Sequence, residues 1–270
     1  MRLITLDPLR TLDVPGTRPL KPEQMFRESE LIKSADWVLF PEYWQVNALV
    51  YAWKKKIFPS INTYHMGHDK VELSRALQAL CPGNVPQTLI LPRTPSSEEV
   101  ILDQLCFPMV AKEVRNSMGL GVYLIEERSD LRRYIRGNDI LYLQEYLPIT
   151  RDLRVVVIGR QVIAAYWRNN APGLFHSNVA RGGHVSFEDI PAGALQLVET
   201  VANALGINHA GFDIVELHGH YYILEFNVRF GTQALNERGI KTGPWIMKYL
   251  QEEQYIPPIT PDSGVLPKAS

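Results

Sequence analysis

The sequence predicts a mixed α+β and α/β fold, in which a small N-terminal α/β lobe precedes two α+β lobes. Short apolar strand patterns and helical patterns alternate along the chain. They interleave without strict strand–helix–strand repetition, which favours mixed sheets over a single parallel sheet. The 270 residues, 46% of them hydrophobic and 21% charged, are enough for two to three lobes.

The composition excludes several classes of protein. A formal net charge of -1 gives no general attraction to nucleic acid or to an anionic membrane. No apolar run approaches ~20 residues, and the N-terminus lacks the apolar core of a signal peptide. Cys81 and Cys106 form no CxxC pattern, which is typical of thiols in a reducing cytosol. We therefore expect a cytoplasmic protein with no nucleic-acid or membrane partner.

The first predicted lobe covers residues 1–64. It opens with a strand candidate at Arg2–Leu6, and the Pro- and Gly-bearing stretch 14–19 predicts a loop. Helices over 22–33 and 47–55 and strands over 37–40 and 57–61 complete this lobe.

Five aromatic residues cluster in this lobe. We expect them to serve core or inter-lobe packing, with an acceptor pocket or the dimer surface of a homo-oligomer as alternatives. They are Trp37, Tyr43, Trp44, Tyr51 and Trp53.

The second predicted lobe covers residues 65–147. Apolar residues at helical spacing predict a helix over 69–80, and Ser96 with Glu99 predicts a capping box for the next helix. Strands are predicted near 87–91, 108–114, 121–126 and 141–147.

The third predicted lobe covers residues 148–256. Strands over 153–158 and 161–167 form a predicted hairpin, and a helix over 192–205 is expected to end at Gly206. Two further strands, a helix over 243–252 and a Pro-rich tail at 257–270 follow.

Oxygen-bearing side chains stand out on the last two strands. Glu225 and Asn227 are two residues apart, so they point to one face of a strand, and a tight turn at 218–220 would bring Asp213 beside them. Two carboxylates and an amide oxygen in apolar surroundings suit Mg²⁺ that bridges nucleotide phosphates. The alternative is an exposed hairpin with solvated acids.

A lysine and a glycine-bearing loop provide phosphate-binding groups upstream. Lys112 lies inside an apolar strand, where a lysine requires an anionic partner. The following loop contains Gly119 and Gly121, which let backbone N–H groups approach phosphates. A plain hairpin loop is the alternative.

The next strand and several arginines extend this pattern. Where strand 141–147 ends, its backbone N–H and C=O groups could form hydrogen bonds with the edge of an adenine base. Asp152 could accept a hydrogen bond from a ribose hydroxyl. Several arginines could bind a transferring phosphoryl group and a substrate carboxylate, although a single arginine more often forms a surface ion pair. They are Arg154, Arg168, Arg181 and Arg229.

Taken in chain order, these segments resemble the ATP-grasp superfamily, and most closely its RimK-type branch of carboxylate–amine ligases. The resemblance runs from about His68 to Leu250 and implies an ATP-grasp fold, in which two α+β lobes hold ATP between them. The motifs are His68-Asp69-Lys70, Pro-Met-Val-Ala-Lys112 with its glycine loop, Gln144-Glu-Tyr-Leu147, Asp152-Leu-Arg154, Asn178 with Arg181-Gly-Gly, Ala-Gly-Phe-Asp213 and Leu-Glu225-Phe-Asn227.

The resemblance also implies roles for matching residues. Lys70 and Lys112 resemble the pair that contacts the ATP phosphates, and the loop with Ser117, Gly119 and Gly121 resembles the lid above them. The implied adenine hinge is Gln144, Glu145, Tyr146 and Leu147, with Asp152 and Asn178 as further nucleotide contacts. Asp213, Glu225 and Asn227 resemble the ligands of two Mg²⁺ ions, for which Mn²⁺ could substitute. The implied catalytic arginines are Arg168 and Arg181, with Arg154 and Arg229.

Two features depart from the family pattern. The N-terminal lobe normally opens with a full strand–helix pair, whereas Arg2–Pro8 resembles its second strand, so we expect a truncated lobe. RimK-type enzymes usually continue Asn-Ala-Ser-Pro-Gly after the metal-binding glutamate. The run Asn227-Val-Arg229-Phe-Gly231 is instead similar to glycinamide ribonucleotide synthetases, so Arg229 could contact an anion and the acceptor could differ from glutamate.

The predicted function is an ATP- and Mg²⁺-dependent ligase that forms an amide through an acyl-phosphate. Its substrates would be a small-molecule or peptide carboxylate and an amine such as an amino acid. Two alternatives stay open: a small-molecule kinase of the same fold and a catalytically silent nucleotide-binding module. His176 and His209 are candidate bases for the amine, but lone histidines are more often structural.

Overall fold

Three β-sheets organise the computed structural model, which describes residues 1–114, 121–169 and 185–255. The N-terminal sheet is parallel and comprises β1 (Leu3–Thr5), β2 (Thr17–Pro19), β3 (Trp37–Leu39) and β4 (Lys56–Phe58). Its strand order is β2-β1-β3-β4. Its helices are α1 (Ser29–Ser34), α2 (Tyr43–Asn47), which continues as a π-helix over Ala48–Ala52, and α3 (Ile61–His68).

Three sequence predictions for this lobe are corrected. Thr17–Pro19 is an edge strand and not a loop; its proline is tolerated because an edge residue need not donate to a neighbouring strand. The predicted helix over 22–33 is divided into a 3₁₀ turn at Pro22–Gln24 and α1. The strand predicted to reach residue 61 ends earlier, because Ser60 caps α3 by accepting a hydrogen bond from the Thr63 N–H.

The expectation of packing roles for the aromatic cluster is only partly met. Trp37 is buried, and Trp53 packs against the core of the lobe. Trp44 and Tyr51 are 52% and 59% exposed, so the packing prediction was wrong for these two. Tyr43 is 38% exposed, but its ring stacks on His68 with the centroids 3.6 Å apart.

The second sheet is antiparallel and comprises β5 (Thr88–Pro92), β6 (Met109–Lys112), β7 (Val122–Ile125) and β8 (Ile140–Glu145), in the order β5-β8-β6-β7. Ile101 of α5 (Ser97–Gln104) and Leu131 of α6 (Arg128–Gly137) form its core with strand residues such as Leu143. The predicted capping box is wrong. Ser96 makes no capping hydrogen bond, and the Ser97 hydroxyl instead accepts one from the Thr94 N–H.

The third sheet is antiparallel, in the order β11-β10-β9-β12-β13, and both of its faces are covered. One face packs on α4 (Lys70–Leu80) and α7 (Ala192–Leu205), and the other on the N-terminal lobe and α9 (Gly243–Tyr255). This double burial explains why Val155–Ile158 is continuously apolar. The strands are β9 (Arg151–Ile158), β10 (Gln161–Asn169), β11 (Val185–Ser186), β12 (His209–Leu217) and β13 (His220–Asn227), and α8 (Gln233–Glu237) follows them.

The lobe boundaries stay predictions. The proposed boundary at residue 64 falls inside α3, and α4, assigned to the second lobe, packs Leu73 and Leu77 into the core of the third. The predicted tail at 257–270 lies outside the described residues. Among the helices of the described ranges, none has the length and apolarity needed to cross a bilayer.

Candidate active site

The hairpin β12–β13 brings the three predicted metal ligands together. Its two-residue turn, His218-Gly219, has positive φ at both residues (53° and 78°), as a tight hairpin requires. Asp213 lies opposite Glu225 in the strand register, and Gly211 lies opposite Asn227. Asn227 Nδ2 is 3.4 Å from Asp213 Oδ2. The predicted hairpin is therefore confirmed, and the metal-binding role stays a prediction.

Asp213 is also the centre of a buried ion-pair network. Arg154, its register neighbour on β9, donates from Nε to Oδ1 at 2.6 Å and from Nη2 to Oδ2 at 3.2 Å. Arg168 on β10 reaches Asp213 Oδ1 from Nη2 at 2.9 Å and donates from Nε to Asp152 Oδ1 at 2.6 Å. Two guanidinium groups thus alternate with two carboxylates; we name Asp152, Arg154, Arg168 and Asp213 the paired cluster.

Burial and neighbouring charge act differently on its two acids. Burial raises the pKa of Asp152 to about 6, because Arg168 offsets only part of its desolvation. Burial alone would raise the pKa of Asp213 as well, but Arg154 and Arg168 together outweigh it and hold that pKa below its usual value. Asp213 is therefore ionised at neutral pH, with its charge shared between two arginines.

Lys112 of the second lobe faces this hairpin. Its side chain is buried, with Nζ 5.8 Å from the centroid of the Tyr142 ring. Burial lowers the pKa of Lys112, and the charge of Lys70 lowers it further, whereas the carboxylates of Glu225 and Asp213 raise it. Lys112 on β6 and the acids of β12 and β13 therefore lie within electrostatic reach of one another.

A chain of hydrogen bonds positions the two lysines. The Tyr142 and Ser74 hydroxyls lie 2.6 Å apart, and Ser74 Oγ donates to the Lys70 carbonyl at 2.7 Å. Asp69 caps α4 by accepting hydrogen bonds from the Val71 and Glu72 N–H groups. The motif His68-Asp69-Lys70 therefore starts a helix whose first residue is Lys70.

The predicted hinge lies where β8 ends. Gln144 is buried, and its Nε2 donates to Thr88 Oγ1 at 2.8 Å. Glu145 is paired with Gln87 through its backbone N–H and its carboxylate, at 2.9 and 2.7 Å. Leu147 is buried, whereas Tyr146 is half-buried. A polar strand edge that continues into apolar side chains suits a heterocyclic base.

Other predicted residues are placed elsewhere or not described. Ser117 and Gly119 of the lid loop, and Asn178, Arg181 and His176, lie outside the described residues. Gly121 ends the lid segment with a φ of 72°, and its carbonyl accepts a hydrogen bond from the Glu113 N–H at 2.7 Å.

Arg229 contacts the N-terminal lobe, and its predicted role in binding an anion stays a prediction. Arg229 is exposed, and its Nη2 contacts the Pro41 carbonyl of the N-terminal lobe at 3.5 Å. Two residues that the sequence did not single out lie on the same lobe interface. Arg10 contacts the Phe230 carbonyl, and Tyr64 donates to the Pro41 carbonyl. No sequence signal marks Arg10, because its contact is 220 residues away.

The donor chemistry of the hairpin suits a hard divalent cation. Within the described ranges, no three His, Cys, Asp or Glu side chains form a metal-binding group. The set here is two carboxylates and the Asn227 amide, which is compatible with Mg²⁺ that also binds phosphate oxygens. Asp213 would have to release an arginine, because Arg154, Arg168 and Asn227 already surround its two oxygens.

Comparison with known proteins links this chain to one family. A model described as the RimK-like ATP-grasp domain matches residues 68–250. A "probable alpha-L-glutamate ligase" of Enterobacter sp. (strain 638) is 32% identical over 195 residues, 67% of this chain and 65% of that protein. A protein of the same name from Alcanivorax borkumensis is 34% identical over 134 residues, 47% of this chain and 44% of that protein. The chain thus spans less than two thirds of the curated relatives it matches.

Solved structures share the fold at low sequence identity. A RimK-domain ATP-grasp protein from Sphaerobacter thermophilus superposes with a TM-score of 0.70 at 16% identity, covering 92% of this chain and 99% of that one. The D-alanine–D-alanine ligase of Bacillus anthracis, solved with ATP, gives a TM-score of 0.71 at 13% identity, covering 94% and 98%.

Proposed function

The chain belongs to the RimK-like ATP-grasp family, and from this premise we propose that it is an ATP-dependent ligase that joins a carboxylate to an amine. One observation carries the proposal. The buried Lys112 of the second lobe lies within electrostatic reach of the carboxylates of Asp213 and Glu225 in the third. Cationic and anionic groups that face each other in this way suit a nucleotide triphosphate bound between them.

The first step activates the acid. A carboxylate oxygen of the substrate attacks the γ-phosphorus of ATP, the bond to the bridging β–γ oxygen breaks, and ADP leaves with that electron pair. We assign Lys70 and Lys112 to the phosphate oxygens; Lys112 is buried on its strand, with Nζ 5.8 Å from the centroid of the Tyr142 ring. The product is an acyl-phosphate, whose phosphate is a far better leaving group than oxide.

We assign the divalent cation, Mg²⁺ or Mn²⁺, to Glu225 and Asn227, with Asp213 as the third ligand. Bound there, two such ions would neutralise phosphate charge and hold the triphosphate in place. The chain's own arginines supply the remaining positive charge. Arg154 and Arg168 stand beside Asp213, where they can stabilise negative charge on the transferring phosphoryl group and on the acyl oxygen.

The second step forms the amide. An amine nitrogen attacks the acyl carbon, the carbonyl electrons move to oxygen and return, and phosphate leaves as the nitrogen loses a proton. The names of the curated relatives favour an amino acid as the amine. We also propose a cytoplasmic location, because the two free cysteines are typical of a reducing environment.

Hydroxylamine trapping tests this proposal. The protein would be incubated with ATP, Mg²⁺, a pool of carboxylic acids and hydroxylamine, and hydroxamate and ADP would be measured. We expect hydroxamate and ADP in equal amounts. The rate at which both form should fall at least 100-fold in Lys112→Ala and should not change in Lys21→Ala, an exposed lysine of the first lobe. Phosphate on a stable hydroxyl product would indicate a kinase, and nucleotide binding without ADP would indicate a silent module.

A further inference from the structure

A cavity of about 500 Å³ lies between the N-terminal lobe and the loop that follows the metal-binding hairpin. We propose that it binds the amine substrate, an amino acid whose free carboxylate is held by Arg10 and whose side chain is apolar. The assignment rests on the proposed ligase function, because that function requires an amine beside the acyl-phosphate. Arg10, Phe40, His209 and Phe230 line the cavity, with Leu9 and Leu12 among its further walls.

Arg10 is a half-buried cation with few partners. Among the described residues, its contacts are Nε to Asp7 Oδ2 at 3.5 Å and Nη1 to the Phe230 carbonyl at 3.4 Å. Both are long for a guanidinium group, which carries five N–H donors. The remaining donors can bind a carboxylate through the planar fork that suits this group.

The charge around Arg10 also favours an anion. Burial lowers the pKa of Arg10; Asp7 opposes this effect, and the positive charge of Arg229 adds to it. Two guanidinium groups are thus held within electrostatic reach of each other, with Asp7 as the nearby acid. The second acid of the cavity, Asp13, is already engaged, because it accepts a hydrogen bond from the Gly243 N–H at 2.7 Å. A substrate carboxylate bound to Arg10 would reduce the repulsion between the guanidinium groups of Arg10 and Arg229.

Four apolar side chains and a neutral histidine line part of the cavity, and Lys241 is a further cation that lines it. Phe40 and Phe230 are buried walls, whereas Leu9 and Leu12 are 80% and 79% exposed at the N-terminal lobe. Burial lowers the pKa of His209 to about 3, so this ring is neutral, and its Nδ1 lies 2.9 Å from the Val228 carbonyl. Such walls suit an aliphatic or aromatic side chain better than a second carboxylate.

The cavity adjoins the reaction centre. A Cβ built on Gly211 would lie 2.9 Å from both Phe230 Cβ and Arg154 Cδ, so the cavity wall and the paired cluster meet at this glycine. His209 precedes Asp213 by four residues on β12, about 13 Å along an extended strand. An amino acid bound on Arg10 can therefore point its amine towards the acyl-phosphate.

Equilibrium dialysis tests the proposal on the full chain, with a non-hydrolysable ATP analogue and Mg²⁺ present. The probes are L-leucine, L-leucinamide, which lacks the carboxylate charge, and L-glutamate. We expect leucine to bind at least about tenfold more tightly than either other probe, and Arg10→Gln to remove that preference. Arg10→Lys keeps the charge but not the fork, so it should give an intermediate loss. Arg18→Gln, an exposed arginine of the same lobe, should change nothing.

The outcomes separate this inference from the ligase proposal. The inference is overturned if leucine does not bind, or if it binds no more tightly than leucinamide. It is also overturned if Arg10→Gln and Arg18→Gln weaken leucine binding equally. Each of these results holds even if the wild-type protein forms hydroxamate. Tightest binding of glutamate, lost in Lys241→Gln, would replace the apolar amino acid with an acidic one. Arg10-dependent leucine binding without hydroxamate in the trapping assay would refute the ligase and leave the carboxylate site standing. Circular dichroism of each variant excludes misfolding.

Discussion

The paired cluster and the Arg10 cavity lie on either side of Gly211, yet their charges are satisfied very differently. In the paired cluster, two arginines and two aspartates alternate at distances of 2.6 to 3.2 Å and are almost fully buried. In the cavity, Arg10 has one acid at 3.5 Å and a second guanidinium nearby. The difference indicates that the buried charges of the cluster already balance one another, whereas Arg10 keeps binding capacity for a ligand.

Removing Asp213 should give the largest effect, because it breaks the paired cluster at its centre. Asp213→Ala leaves Arg154 and Arg168 without their shared partner, and breaking a buried pair in this way costs about 3–5 kcal/mol. Urea denaturation would measure this loss of unfolding free energy. Asp103→Ala, an exposed acid, should change it by less than about 0.5 kcal/mol. A similar small loss for Asp213 would mean that the cluster does not stabilise the sheet.

The pH dependence of the unfolding free energy should show that ionisation of Asp152 destabilises the folded state. Its pKa is raised to about 6, so the folded state holds the proton more tightly than the unfolded state does. Stability from this group is therefore present below about pH 4 and is lost as pH rises through about 6.

Asp152→Asn cannot ionise but can still accept a hydrogen bond from Arg168. Its unfolding free energy, relative to wild type, should rise by about 1–3 kcal/mol between pH 4 and pH 7.5. Asp103→Asn serves as the control and should follow wild type at each pH. A parallel pH profile for Asp152→Asn and wild type would contradict the raised pKa.

The contrast between these regions also shows what the sequence could reveal. The ATP-grasp fold and the RimK-like family were predicted and are confirmed, because their motifs are local runs of residues such as those around Lys112 and Asp213. The hairpin followed from period-two spacing and the His218-Gly219 turn. Such features depend on neighbours in the chain, so pattern reasoning detects them.

Features that depend on contacts distant in sequence were missed. Arg154 and Arg168 were expected near the acidic residues, but their ion pairs with Asp213 come from register across three strands, which spacing along one strand cannot specify. The contact of Arg10 with the Phe230 carbonyl joins the two ends of the chain, and the exposed Trp44 and Tyr51 belong to a lobe whose short strands give weak periodicity. The roles of the predicted site residues stay predictions.

Gly211 offers a way to disturb the cluster and the cavity together. Gly211→Ala places a methyl group 2.9 Å from Arg154 Cδ and Phe230 Cβ, which must shift, at a cost of about 1–3 kcal/mol. Thermal unfolding would measure the loss, and leucine dialysis should show weaker binding. Gly83→Ala, where a Cβ meets nothing within 4 Å, should be nearly neutral. If Gly211→Ala leaves both stability and leucine binding unchanged, the two regions are not in contact through this glycine.

The smallest effect is expected at Tyr142, whose ring lies beside Lys112 and whose hydroxyl contacts α4. Tyr142→Phe removes the 2.6 Å hydrogen bond to Ser74 but keeps the ring beside Lys112, so stability should fall by only about 1 kcal/mol. Because Ser74 also holds the Lys70 carbonyl, the KM for ATP should rise severalfold while leucine binding is unchanged. In a double-mutant cycle with Ser74→Ala, the double variant should lose no more stability than Ser74→Ala alone, because Ser74→Ala already removes the hydrogen bond to Tyr142 as well as the one to Lys70. Additive losses of stability would show that the two hydroxyls act separately. Weaker leucine binding in Tyr142→Phe would show that the proposed nucleotide and amine sites are not independent.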